Sequence, residues 1–167
     1  MANTYEAIAT VTVGSGGAAN IEFTSIPATY TDLLAVFSVR SDSGSVDTEL
    51  QFNSSTSNLS SRWLVGSGSG VSSTSFGTSI QMGGSTKSTW TSNTFGNVSV
   101  YVTNYTSSNN KSISIDSVSE NNATEAYATL TAGLWSNSAA ITSLKIKAGS
   151  GNFVQYSTAT LYGIKNS

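Results

Sequence analysis

The stretch NVSVYVTNYTSSNNKSISIDSV, residues 97–118, decides the fold. Val98, Val100 and Val102 alternate with polar or aromatic neighbours, and after the turn signal SSNN the alternation resumes with Ile113 and Ile115. A period of two in consecutive runs separated by turn residues describes half-buried strands. No long stretch of the chain offers the competing pattern, with apolar residues at i, i+3, i+4 and i+7. Composition agrees: 33 Ser and 22 Thr in 167 residues put a small hydroxyl on one residue in three. Ser and Thr side chains compete for the backbone, and Thr is stiff at χ1, so helix is disfavoured throughout.

Outward from this stretch, the same punctuation repeats. Tyr5 to Val13 alternates, with Tyr5, Ala7, Ala9, Val11 and Val13 on one side, and stops at GSGG. Ile21 and Phe23 form a short run closed by Pro27, the only proline. Thr31 to Ser41 (TDLLAVFSVRS) is apolar on both faces, as in a strand central to a two-layer packing or facing a neighbouring subunit. Thr48 to Phe52, Ser61 to Val65, Ser79 to Met82, Ser143 to Lys147 and Ser157 to Ile164 read as further strands. In Glu125 to Trp135, Ala126, Ala128, Leu130, Ala132 and Leu134 share one face, with Tyr127 and Trp135 on the other. GSGSGVSSTSFG and MGGSTKSTW read as loops. Ten or eleven strands with turn chemistry between them predict an all-β, antiparallel two-sheet sandwich of jelly-roll type, one domain over residues 1–167. The expected core contains Val11, Ile21, Phe23, Leu33, Val36, Phe37, Leu50, Val100, Ile115, Leu130 and Ile146.

The charge pattern excludes several functions. Charged residues make up 10% of the chain, against about 25% in ordinary domains. Seven bases are scattered among nine acids, so no basic stripe could follow a phosphate backbone, and nucleic acid is not an expected partner. No apolar run approaches the roughly 18 residues of a membrane span. MANTYEAIAT lacks the basic and apolar regions of a secretion signal, so synthesis in a cytoplasm is expected, with the six N-x-S/T sequons unused. A surface poor in charge tolerates close self-association.

The chemistry of catalysis is thin. The chain has no His and no Cys, which removes the usual general base, thiol nucleophile and transition-metal ligands. No G-x-S-x-G elbow occurs, and Lys87 in GGSTKSTW reads as a solvated loop lysine. Glu120 and Glu125, flanking an NNAT turn, are the nearest thing to a carboxylate pair, and read as a solvated turn. Asp42 and Asp47 could offer calcium two carboxylates, although the spacing lacks the density of a dedicated loop. No enzyme activity and no cofactor are expected. Aromatic rings are the remaining candidates for contact. Trp63, Trp90, Tyr101, Tyr105, Tyr127 and Trp135 could stack on sugar rings or on a neighbouring subunit, Trp90 standing alone in a polar loop.

Four segments, YEAIATVTVGSG, IEFTSIPATYTDLLAVFSVRS, GLWSNSAAITSLKI and STATLYGI, fall in this order and cover about one-third of the chain. In these segments the chain resembles small Ser/Thr-rich structural proteins of tailed bacteriophages. The resemblance implies a virion protein, made in the host cytoplasm, with a β-sandwich fold. It carries no functional residues across, because the similarity lies in core strands. Members often hold basic residues near the GLW segment, where this chain has Ser136 and Asn137. Start at Met1 and end three residues past LYGI leave no length for a shaft, so a compact subunit is expected. The expectation is a capsid decoration or cement subunit, a homotrimer contacting virion proteins such as the major capsid protein. The alternative is a tail-fibre tip or carbohydrate-binding module that recognises a glycan on the host surface.

Overall fold

The computed structural model describes residues 4–122 and 125–165. Its strands are β1 Tyr5–Thr12, β2 Asn20–Phe23, β3 Asp32–Val39, β4 Thr48–Phe52, β5 Leu59–Gly66 and β6 Val71–Phe76. They continue with β7 Ile80–Gln81, β8 Gly96–Val102, β9 Lys111–Glu120, β10 Ala126–Trp135, β11 Leu144–Ala148 and β12 Thr158–Ile164. All pair antiparallel in two sheets, ordered β1-β12-β3-β8-β9-β10-β5-β6 and β2-β11-β4-β7. The all-β, two-sheet sandwich is therefore what the sequence pattern predicts.

The topology has a jelly roll inside it. Without β5, β6, β9 and β10, the sheets read β1-β12-β3-β8 over β2-β11-β4-β7, the order of an eight-stranded jelly roll. Two hairpins are inserted, β5–β6 after β4 and β9–β10 after β8, and together they double the width of one sheet. The roll closes on Leu33, Ala35, Phe37 and Val39 of β3 and Val98, Val100 and Val102 of β8, facing Ile21, Phe23, Leu50, Phe52 and Ile146. Apart from the small Ala35, each such side chain, fully buried, contributes roughly 1.5–3 kcal/mol.

Five details of the sequence reading are corrected. The segment 71–76 is a strand and not part of a loop, because it pairs along β5 at the sheet edge despite its Ser-rich content. A bulge between Ala7 and Ala9 breaks the single alternation read for β1, so Ile8 and Val11 lean on the core while Tyr5 is exposed. Val36 is half-buried on the opposite face of β3 from Phe37, since neighbours along a strand point apart. Strand β10 is reversed: Thr129, Thr131, Gly133 and Trp135 face inward, and Leu130, expected in the core, is 57% exposed. Trp135 is consequently no surface contact; its ring is buried 5.7 Å from that of Phe52.

Glycine settles one crossing that matters for the site. Gly84 has φ of +82°, and a Cβ there would lie 2.4 Å from Val98 Cγ2 and 2.7 Å from Ser117 Cβ. Only a residue without a side chain lets the 83–84 segment lie this close over β8 and β9.

Candidate functional site

The inserted half presents an unusual surface on each of its two faces. On the outer face of the large sheet, Leu130 stands opposite Leu64 on β5, Ala128 opposite Val118 on β9, and Gly66 opposite Val71 on β6. Leu64 is 51% and Val71 76% exposed, and Leu134 continues the apolar stripe along β10. Asp116, Glu120 and Arg62 supply its charge. Among the described residues nothing covers this stripe, because the small sheet packs on the other side.

On the inner face, the small sheet stops short of the sheet's far end and leaves a cleft of about 260 Å³. Its floor is Trp63 and Val65 of β5, Ser72 and Thr74 of β6, and Tyr127 and Thr129 of β10. Its wall is Val46 and Asp47, leading into β4, and Gly83 and Gly84, leaving β7. Trp63 meets Phe76 edge to face, centroids 4.7 Å apart with planes at 86°. Tyr127 stacks on Trp90, centroids 6.0 Å apart with planes at 10°.

Trp90 is itself locked. Its Nε1 donates to Glu125 Oε2 at 2.8 Å, and Lys87 Nζ pairs with the same oxygen at 2.6 Å, lying 5.4 Å from the indole centroid. The Lys87 ammonium, and then the indole N–H, hold the Glu125 carboxyl below its ordinary range. Lys87 is therefore a paired lysine and not a freely solvated one. Arg40 fastens the rest of this loop: Nη1 donates to the carbonyls of Thr91 (3.0 Å) and Thr94 (3.1 Å), and Nη2 to those of Trp90 (3.1 Å) and Ser88 (3.3 Å). A guanidinium has the fork geometry and number of donors for such a cage.

Of the aromatic residues singled out in the sequence, Trp63 and Tyr127 meet in one cleft, and Trp90 supports Tyr127. Tyr101 lies on the outer face of the roll, where its hydroxyl donates to Asp32 Oδ2 at 2.7 Å. That bond, to a carboxylate that also accepts from the Asn104 N–H, pushes the phenol up to about 12. Tyr105 is buried and donates to the Pro27 carbonyl.

The acids fall into separate roles. The Asp42 carboxylate accepts from the Asn152 N–H at 2.8 Å, while Asp47 belongs to the cleft. Glu120 accepts from the Asn122 N–H at 2.6 Å; the rest of that turn, Ala123 and Thr124, lies outside the described residues. Among the described residues no cluster of three or more acids is arranged to hold a metal ion, and no helix is long and apolar enough to cross a membrane.

Sequence reasoning missed Gly83, Gly84 and Thr129, and placed Asp47 in a different context. The paired glycines of MGGSTK were the available signal for a close crossing; nothing in the sequence tied them to Trp63. No protein-family model, curated protein or solved structure matches the chain.

Proposed function

We propose that this protein is a non-catalytic virion structural subunit, a capsid decoration or cement protein that assembles as a homotrimer and binds other virion proteins such as the major capsid protein. The observation that carries this reading is the uncovered apolar stripe through Val118, Leu130, Leu64 and Val71. Contiguous exposed apolar surface rimmed by polar residues marks a protein contact, and here the rim is Ser73, Ser75 and Ser114 with Asp116, Glu120 and Arg62. The jelly roll supports the reading as architecture, being shared by capsid and lectin domains, and the phage-like segments support it as sequence. A stable contact buries about 1,200–2,000 Å² in total, and a sheet face eight strands wide offers room for it. With few charges involved, the contact is expected to survive high salt.

Sedimentation of the isolated chain at low and high salt tests this. The expected result is a salt-resistant trimer that Leu130→Glu converts to a folded monomer. A strict monomer at high concentration, bound to no other virion protein, defeats the assembly reading.

The cleft favours a second reading, recognition of a glycan on the host surface. Copy number separates the two: hundreds per particle for decoration, a few to a few dozen for a tail tip.

A further inference from the structure

We infer that the cleft between Trp63, Tyr127 and Asp47 is a binding site for one neutral pyranose ring of a glycan. The inference rests on the recognition reading and not on assembly, since cleft and apolar stripe lie on opposite faces of the same sheet.

Three observations carry it. The first is aromatic: Trp63 and Tyr127 both line the cavity, and each is held by another ring, Phe76 and Trp90 respectively. Rings fixed before binding lose little freedom when a ligand arrives, and their faces suit the C–H surface of a sugar. The second is polar. Among the described residues nothing bonds the half-buried Asp47 carboxylate, nor the hydroxyls of Ser72, Thr74 and Thr129, although Thr129 is only 6% exposed. Other buried polar groups are spent on the protein itself, Asp32 on Tyr101 and Asn104 and Ser117 on the Met82 carbonyl, while the buried groups without a partner, Ser119, Thr131 and the Trp135 indole, do not line the cavity. Groups left over in a cavity are there to meet hydroxyls from outside, and a carboxylate can accept from two adjacent sugar hydroxyls at once.

The third observation is size and charge. At about 260 Å³ the cavity is below the roughly 300 Å³ at which pockets begin to take drug-sized ligands, so it fits a single ring. Its charge comes from Asp47, with no cation in the lining, so carboxylated and phosphorylated sugars are repelled. Val46 and Val65 give the ring's less polar edge a place to lie.

The test is saturation-transfer NMR on the full chain with methyl glucoside, methyl galactoside, methyl mannoside and N-acetylneuraminic acid as probes, repeated with Asp47→Asn and Trp63→Phe. Both variants keep the shape of the side chain they replace or its aromatic core, and circular dichroism checks that each is folded. The expected result is transfer to ring protons of at least one neutral glycoside, weakened about tenfold by Asp47→Asn, the scale of a lost hydrogen bond to a charged group, and none to the acidic sugar. Binding of a neutral glycoside that neither variant weakens would overturn the cleft while leaving recognition in place. Preference for the acidic sugar would overturn the neutral chemistry, and no transfer to any probe would overturn both.

Discussion

The two halves of the eight-stranded sheet treat the same two faces in opposite ways. In the jelly-roll half, β3 and β8 bury Leu33, Phe37, Val39, Val98, Val100 and Val102 inside. In the inserted half, the inward positions of β9 and β10 include Ser117, Ser119, Thr129 and Thr131, while Leu130, Leu134 and Val118 point out. Packing explains the first pattern completely. It does not explain the second, because a strand chosen only for stability would exchange its leucines and threonines. The difference teaches that the roll makes the fold and the inserted half makes the surfaces.

The sharpest way to break this comparison is to truncate one large side chain in each half. Phe37→Ala is expected to cost about 3–5 kcal/mol, the range for emptying a packed core site. Leu130→Ala, measured by urea unfolding on the same dilute protein, is expected to stay within about 0.5 kcal/mol. Similar losses at both positions would mean that the outer face is packed after all.

A second pair of variants probes the buried hydroxyls. Ser117 Oγ donates to the Met82 carbonyl at 2.7 Å, so Ser117→Ala leaves that carbonyl unpaired and is expected to cost about 1–3 kcal/mol. Thr131 Oγ1 is buried without a protein partner, so Thr131→Val is expected to be neutral or to stabilise by up to about 1 kcal/mol. Denaturation midpoints for the two variants, moving in the same direction, would contradict this assignment.

The smallest effect belongs to the outer face of the roll and is silent at neutral pH. Tyr101 holds its proton up to about 12 against an ordinary 10.0, chiefly through the hydrogen bond to Asp32. Above pH 10 the unfolded chain releases this proton while the folded chain keeps it, so the native state is the more protonated. Stability is then fully present below pH 10 and falls as pH rises toward 12. Ultraviolet absorbance should show tyrosinate forming late at Tyr101 and at Tyr105, whose phenol burial also pushes up, and Tyr101→Phe should remove one of these late steps.

Much of the fold was legible because burial alternates residue by residue along β8 and β9; β4 runs from Thr48 to Phe52 as the pattern reads, with Gln51 buried between Leu50 and Phe52. The rule failed where a second influence acts. Val71–Phe76 has Ser and Thr where a strand usually has Val or Ile, and it becomes a strand through its pairing with β5. In β10 the assumption that Leu goes inside reversed the strand, since a period of two fixes which residues share a face but not which face is buried. The site was half legible. Trp63 and Tyr127 stood out as rings, but Asp47, Gly83 and Gly84 reach them only through tertiary structure, from loops far away in sequence.

The two inserted hairpins have a further consequence for how such a protein can change over generations. Each leaves the roll after a strand that the roll already needs, β4 or β8, and returns to the next one, β7 or β11. Within residues 59–76 and 111–135 the outward and cleft-facing positions are therefore open to substitution, while Leu59, Ile113, Ile115 and Trp135 tie both hairpins to the core that Leu33 and Phe37 share. The apolar stripe and the cleft floor both reside on these two hairpins, so what the molecule presents to its surroundings can be altered there without repacking the roll.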